Sequence, residues 1–103
     1  MNTRKTEEAL IAELADAETK VTVGAMYKHY KKGDIYSVNG LGILEASNEV
    51  AVIYQAQYGE NLVFIRPLSN WLEKVEKDGA AQPRFQLQGG DSAYGKSAYT
   101  GTT

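Results

Sequence analysis

The chain contains no cysteine. That excludes a disulfide framework and a thiolate metal site, and it agrees with a reducing compartment. Only one histidine is present, His29, so a zinc centre built from several His or Cys ligands is not expected. Basic charge is not in excess either: 11 Lys and Arg stand against 13 Asp and Glu, a formal balance of −2. A general nucleic-acid binder needs a basic surface for its phosphate contacts, and this balance disfavours one. No apolar run approaches the roughly 20 residues of a membrane-spanning helix. The opening MNTRKTEEAL lacks the apolar core of a signal peptide, which predicts a cytoplasmic protein. Nucleophile motifs of the G-x-S-x-G kind and paired carboxylates on a scaffold segment are missing as well. Gly95-Lys96-Ser97 is read as the end of a phosphate-binding loop that lacks its first glycine and its preceding strand, and it is set aside. The expectation is therefore no enzyme, no metal and no cofactor.

What is present is strand-forming sequence. The stretch EVAVIYQAQYGENLVFIRP, residues 49–67, organises the rest. Side chains alternate faces along a strand, so Val50, Val52, Tyr54, Ala56 and Tyr58 share one side, and Ala51, Ile53 and Gln55 the other; both faces are largely apolar and both are expected to be buried. Gly59, Glu60 and Asn61 supply a turn, and a second β-branched and aromatic run over residues 62–65 closes a hairpin. Val52 and Phe64 are expected to be buried in it. Pro67 ends the second strand because it has no N–H to give.

At 103 residues the chain supports one domain with a modest core. Residues 6–20 read as a helix, with Thr6 as N-cap, Glu7 and Glu8 in the first turn, and a narrow apolar stripe of Leu10, Ile11, Leu14 and Ala17. That stripe docks in cis, pairs with a second copy in a homodimer, or meets a partner. Residues 26–30 form a first strand, with Tyr27 and His29 on one side, and KKGD turns the chain at Gly33. Residues 35–46 form a long strand in which Gly40 and Gly42 mark a bulge or bend. Residues 68–73 allow one or two helical turns that place Leu68 and Trp71 against the sheet. Residues 75–77 and 84–87 read as a last pair of short strands. From Gly89 onward the composition cannot bury enough apolar surface to offset its ordering entropy, so a flexible tail is expected. The divisions are 1–23 for helix and connector, 24–88 for a mainly β domain, and 89–103 for the tail. The pattern predicts an antiparallel, strongly bent barrel of five or six strands.

Residues 26–85 resemble a family of small uncharacterised bacterial and phage domains, the DUF1653 family. The resemblance rests on Tyr27-Lys28-His29-Tyr30-Lys31, on Val52-Ile53-Tyr54 with Tyr58-Gly59, on Arg66-Pro67, and on Gly79 followed by Arg84-Phe85. It implies a small barrel of the SH3-like type and brings no biochemical activity with it. The chain departs from the family pattern at Leu44 and Gln55, where such domains often carry a histidine and an arginine.

The constellation that could carry chemistry is Tyr27, His29, Tyr54, Tyr58, Arg66 and Arg84. Tyrosines offer flat faces with polar tips, and arginines offer planar forks suited to phosphate or carboxylate. Converging on one face, they would bind a small anionic aromatic molecule of the nucleotide type. In a phage setting such a module would sequester a host signalling nucleotide. The bland alternative keeps the tyrosines as packing and pairs the arginines with Asp34, Glu49 or Glu76. A protein-interaction module with an aromatic groove is the second functional reading. Single-stranded nucleic-acid binding by stacked tyrosines comes third.

Overall fold

The computed structural model describes residues 5–88. The tail expected from residue 89 onward lies outside them. The order of elements is α1 (Glu7–Glu18), β1 (Met26–His29), β2 (Ile35–Leu44), β3 (Glu49–Ala56), β4 (Val63–Pro67), α2 (Leu68–Trp71), β5 (Lys74–Lys77), β6 (Ala80–Pro83) and β7 (Phe85–Leu87).

The mainly β, antiparallel reading holds, with a short N-terminal helix. Strands run in the order β4-β3-β2-β1-β7, and β5 pairs with β6 as a separate hairpin. No ladder joins β4 to β7, so the closed barrel expected from the sequence is instead an open sheet. The sheet nevertheless curls hard. The guanidinium carbon of Arg66 on β4 lies 5.1 Å from the ring centroid of Phe85 on β7, the opposite edge strand. Tyr54 on β3 reaches the same ring, at 5.4 Å between centroids.

The bend has a definite origin in β2. Val38 pairs with Tyr54 and Leu41 with Val52, so the strand spends one more residue than its partner between these points, with the register shift between Val38 and Gly40. The extra residue lets Val38 and Leu41 face the same core although they are three apart. Gly42 pairs in register with Ala51 and marks no second break.

The last strands differ from the sequence reading. The segment over residues 75–77 does not pair with that over 84–87. Asp78 and Gly79 both adopt positive φ, 56° and 83°, which is the backbone of a tight primed turn, and they fold β5 directly onto β6. Phe85–Leu87 instead joins the edge of β1, where His29 pairs with Phe85.

The core is Val21, Tyr27, Val38, Val52, Tyr54, Trp71 and Phe85, with Leu41 and Leu68 packed against it. Along β3 the face of Val50, Val52, Tyr54 and Ala56 is fully buried, while on the other face, expected to be buried as well, Ala51 is buried and Ile53 and Gln55 are only partly so. Two expectations fail here. Phe64, expected in the core beside Val52, is 38 % exposed because β4 is an edge strand. Tyr58, beyond the end of β3, is exposed as well. Helix α1 begins where the Thr6 hydroxyl accepts the N–H of Ala9, and it docks in cis on β2 and β3. Ala17 is buried, but Ile11 of the same stripe stays in solvent. The start of the helix is tied across by Lys5, whose N–H and Nζ donate to Oδ1 and the carbonyl oxygen of Asn48 in the β2–β3 turn.

Candidate functional site

Alternation and register put Tyr27 and His29 of β1, Tyr36 of β2, Tyr54 of β3, Phe64 and Arg66 of β4, and Phe85 of β7 on the concave face of the sheet. Curling the sheet brings their rings together. Tyr36 makes edge-on contacts with Tyr54, Tyr58, Phe64 and Phe85, at centroid distances of 5.3–6.3 Å. Edge-on geometry of this kind aligns the positive rim of one ring with the negative face of the next.

The six residues singled out in the sequence do not play equal parts. Tyr27 and Tyr54 are each 5 % exposed and form the floor. The Tyr27 hydroxyl accepts the N–H of Thr22 and pins the α1–β1 connector. The Tyr54 hydroxyl accepts a hydrogen bond from Nε of Arg66 at 3.0 Å. Tyr58 stands at the rim, its hydroxyl 2.7 Å from that of Tyr36.

Arg66 and Arg84 converge on one residue, Asn70 of α2. Arg66 Nη1 donates to Asn70 Oδ1, and Arg84 Nε donates to the Asn70 carbonyl oxygen at 3.2 Å. Arg84 is neutralised by Glu73, 2.6 Å away, rather than by the Asp34, Glu49 or Glu76 that the sequence offered. Arg66 has no carboxylate within ion-pair distance among the described residues. It is half-buried and lies over the Phe85 and Tyr54 rings.

His29 closes the other side, edge-on to Phe85 at 4.9 Å. Partial burial, and then the positive charges of Arg66, Arg84 and Lys31, hold its pKa below the ordinary value, with Asp34 acting the other way. The neutral ring accepts the Lys31 N–H at Nδ1, which leaves Nε2–H as a donor. The pH dependence follows. In the unfolded chain His29 takes up its proton near the ordinary value of about 6.5, whereas the folded chain resists it to lower pH. Stability is therefore undiminished above that value and declines as pH falls through it toward the lowered folded value. Denaturant unfolding at a series of pH values should show this decline, and His29→Gln should flatten it between those two points. An unchanged slope in the variant would remove His29 as its source. Tyr36 is pushed the other way, its phenol raised by burial and by the bond to Tyr58.

Several members of the site were not singled out in the sequence. Tyr36 could have been, because it is paired directly with Tyr27 across the KKGD turn. Phe64 was assigned to the core. Asn70 and Glu73 carried no signal, since nothing local shows that α2 folds back over two arginines. One motif also needs correcting. Gly90 supplies the first glycine of a full GxxxxGK[ST] spacing ending at Lys96 and Ser97. That stretch lies outside the described residues. The strand before it, β7, is a three-residue antiparallel edge strand and not the parallel strand that leads into a phosphate-binding loop.

The fold and site together define a small antiparallel β-domain with an aromatic face guarded by two arginines. Residues 25–87 match the family model described as "Protein of unknown function (DUF1653)". The chain belongs to this family. It is similar to the crystal structure of a DUF1653 protein from Bordetella bronchiseptica, with 33 % identity and a TM-score of 0.57 over 65 % of this chain and 87 % of that one. No curated protein matches the chain. No helix of the described residues is long and apolar enough to cross a membrane.

Proposed function

We propose that the domain is a non-catalytic binding module for a small anionic, aromatic molecule of the nucleotide type. The observation that carries this reading is Arg66. Its guanidinium is charged at any physiological pH, half-buried, placed over the Phe85 ring, and without a carboxylate among the described residues. A charge drawn partly out of water is costly unless a counter-charge meets it, and a ligand anion would be that counter-charge. Arg84 and the Nε2–H donor of His29 flank it. Tyr36, Tyr58 and Phe64 offer ring faces at the open rim, while Tyr27 and Tyr54 back them from the core. In a phage such a module would sequester a host signalling nucleotide. The curled sheet serves on this reading as an incompletely closed barrel of the SH3-like type, in a cytoplasmic protein. A homodimer belongs to the same reading, because Ile11 on α1 leaves an apolar side chain in solvent.

Native mass spectrometry of freshly purified protein tests this directly, since it reports bound mass and subunit count together. A stoichiometric small anion released on denaturation is the expected result. The absence of such a mass, together with no binding from a panel of mono-, di- and cyclic nucleotides, would overturn the reading.

A second reading then takes its place, a protein-interaction module, and one feature favours it. Among the described residues strand β4 is an edge strand, and its Val63 and Ile65, with Leu62 just before it, are all more than half exposed. An extended peptide could add there as a further strand.

A further inference from the structure

A second concave site lies at the end of β1, around the KKGD turn. Lys28 and its register partner Gln86 alternate away from the aromatic face. With Lys31 and Lys32 of the KKGD turn, and Lys77 and Gln82 of the β5–β6 hairpin, they line a cleft of about 270 Å³. The hairpin is held over it because Lys77 Nζ donates to the Tyr30 carbonyl oxygen at 3.0 Å. No Asp or Glu of the described residues lines the cleft. In a chain whose formal charge is −2, four lysines gather around one hollow.

We infer that this cleft is a binding site for an oligophosphate, a short chain of phosphate groups carrying several negative charges. Lysine ammonium groups are compact point charges that suit phosphate without demanding the planar, bidentate geometry arginine imposes. Like charges around one hollow repel, and a polyanion relieves that repulsion at several points at once. A hollow of about 270 Å³ has room for a chain of several phosphate groups. Gln82 and Gln86 supply neutral amide donors along the wall. The chain of phosphates could be free or the tail of a nucleotide, and the chemistry of the cleft is the same for both. The inference does not rest on Arg66, which does not line the cleft, although His29 borders both sites.

Calorimetric titration of the full chain with inorganic tripolyphosphate at low ionic strength tests it. One equivalent per chain is expected to bind, and added salt should weaken it. The Lys31→Glu/Lys32→Glu double variant should lose at least tenfold in affinity. Lys5→Glu/Lys20→Glu makes the same change in net charge at the two ends of α1, away from the cleft, and should stay within twofold. Lys77→Gln, which leaves the KKGD turn untouched, should weaken binding at least threefold and covers the case in which the turn variant fails to fold. Arg66→Ala should leave tripolyphosphate affinity unchanged, so a failure of the nucleotide reading is separable from a failure of this one. ATP binding as tightly as tripolyphosphate, with the same loss in the turn variant, would show that a nucleotide tail enters the cleft. ATP failing to compete would assign it to free oligophosphate. Equal losses in both double variants, loss in Arg66→Ala, or no binding at millimolar tripolyphosphate would each overturn the site.

Discussion

Replacing Trp71 with alanine is expected to destabilise the domain by about 3–5 kcal/mol, the range for truncating a large buried aromatic. The residue is 3 % exposed and stacked on Phe85, with centroids 3.8 Å apart and the rings within 3° of parallel. It also meets Tyr27 and Tyr54 edge-on, at 5.3 and 5.0 Å. These partners come from β1, β3 and β7, so one side chain on the four-residue helix α2 ties three strands together. A domain of this size has roughly 5–15 kcal/mol in total, which leaves the variant near the edge of unfolding. Urea unfolding followed by far-ultraviolet circular dichroism is the suitable measurement, since Trp71 is the only tryptophan and its own fluorescence disappears with it. A loss below about 1 kcal/mol, far under the usual range, would mean the ring is not packed as described.

Arg66→Ala is expected to separate binding from folding. A hydrogen bond to a charged group contributes about 1.5–3 kcal/mol, so losing it should weaken a bound anion by ten- to a hundredfold or more. The unliganded fold should lose little. The truncation removes a contact with Phe85 worth about 0.5–2 kcal/mol, but it also removes a half-buried charge that has no carboxylate to meet it. The Tyr54 hydroxyl and the Asn70 side chain that it leaves can turn to water, because the site is open at its rim. Arg66→Lys should restore only part of the affinity, since a point ammonium lacks the planar fork that reaches Tyr54 and Asn70 from two separate nitrogens. Melting curves with and without the ligand found by mass spectrometry would show it. The wild type should gain stability on adding ligand and the alanine variant should not. A large drop in the melting temperature of the unliganded variant would instead make Arg66 a structural arginine.

Much of the fold is legible in short-range pattern. Val50–Ala56 is legible as a central strand because both its faces are largely apolar, but that same evenness hides which face is the inner one. The same logic misplaces Phe64. Its residue type reads as core, but exposure depends on whether another strand covers β4, and no local signal encodes that. The β5–β6 hairpin was missed for a related reason. Asp78-Gly79 is a strong two-residue turn signal, yet Ala80 and Ala81 beside it carry little strand propensity. Of the site, the residue types were legible and their division of labour was not. Tyr27 and Tyr54 look like Tyr58 in sequence. Only the curl of the sheet decides which are floor and which are rim, and the curl arises from one extra residue in β2.

The unjoined seam between β4 and β7 gives the molecule a preferred direction of opening. Elsewhere neighbouring strands are locked by backbone hydrogen bonds, which break cooperatively. Across the seam, contact passes through side chains, Arg66 against Phe85 and Trp71 against Phe85, which can part without breaking a single rung of the ladder. The domain can therefore breathe on one side only, as a cuff does at its cut edge, and the residue at that cut is Arg66. Amide exchange would register this as slow protons along the central pair β2–β3 and fast ones on β4 and β7. A guest held by Arg66 would act as the clasp, and its arrival should slow exchange on both edges at once.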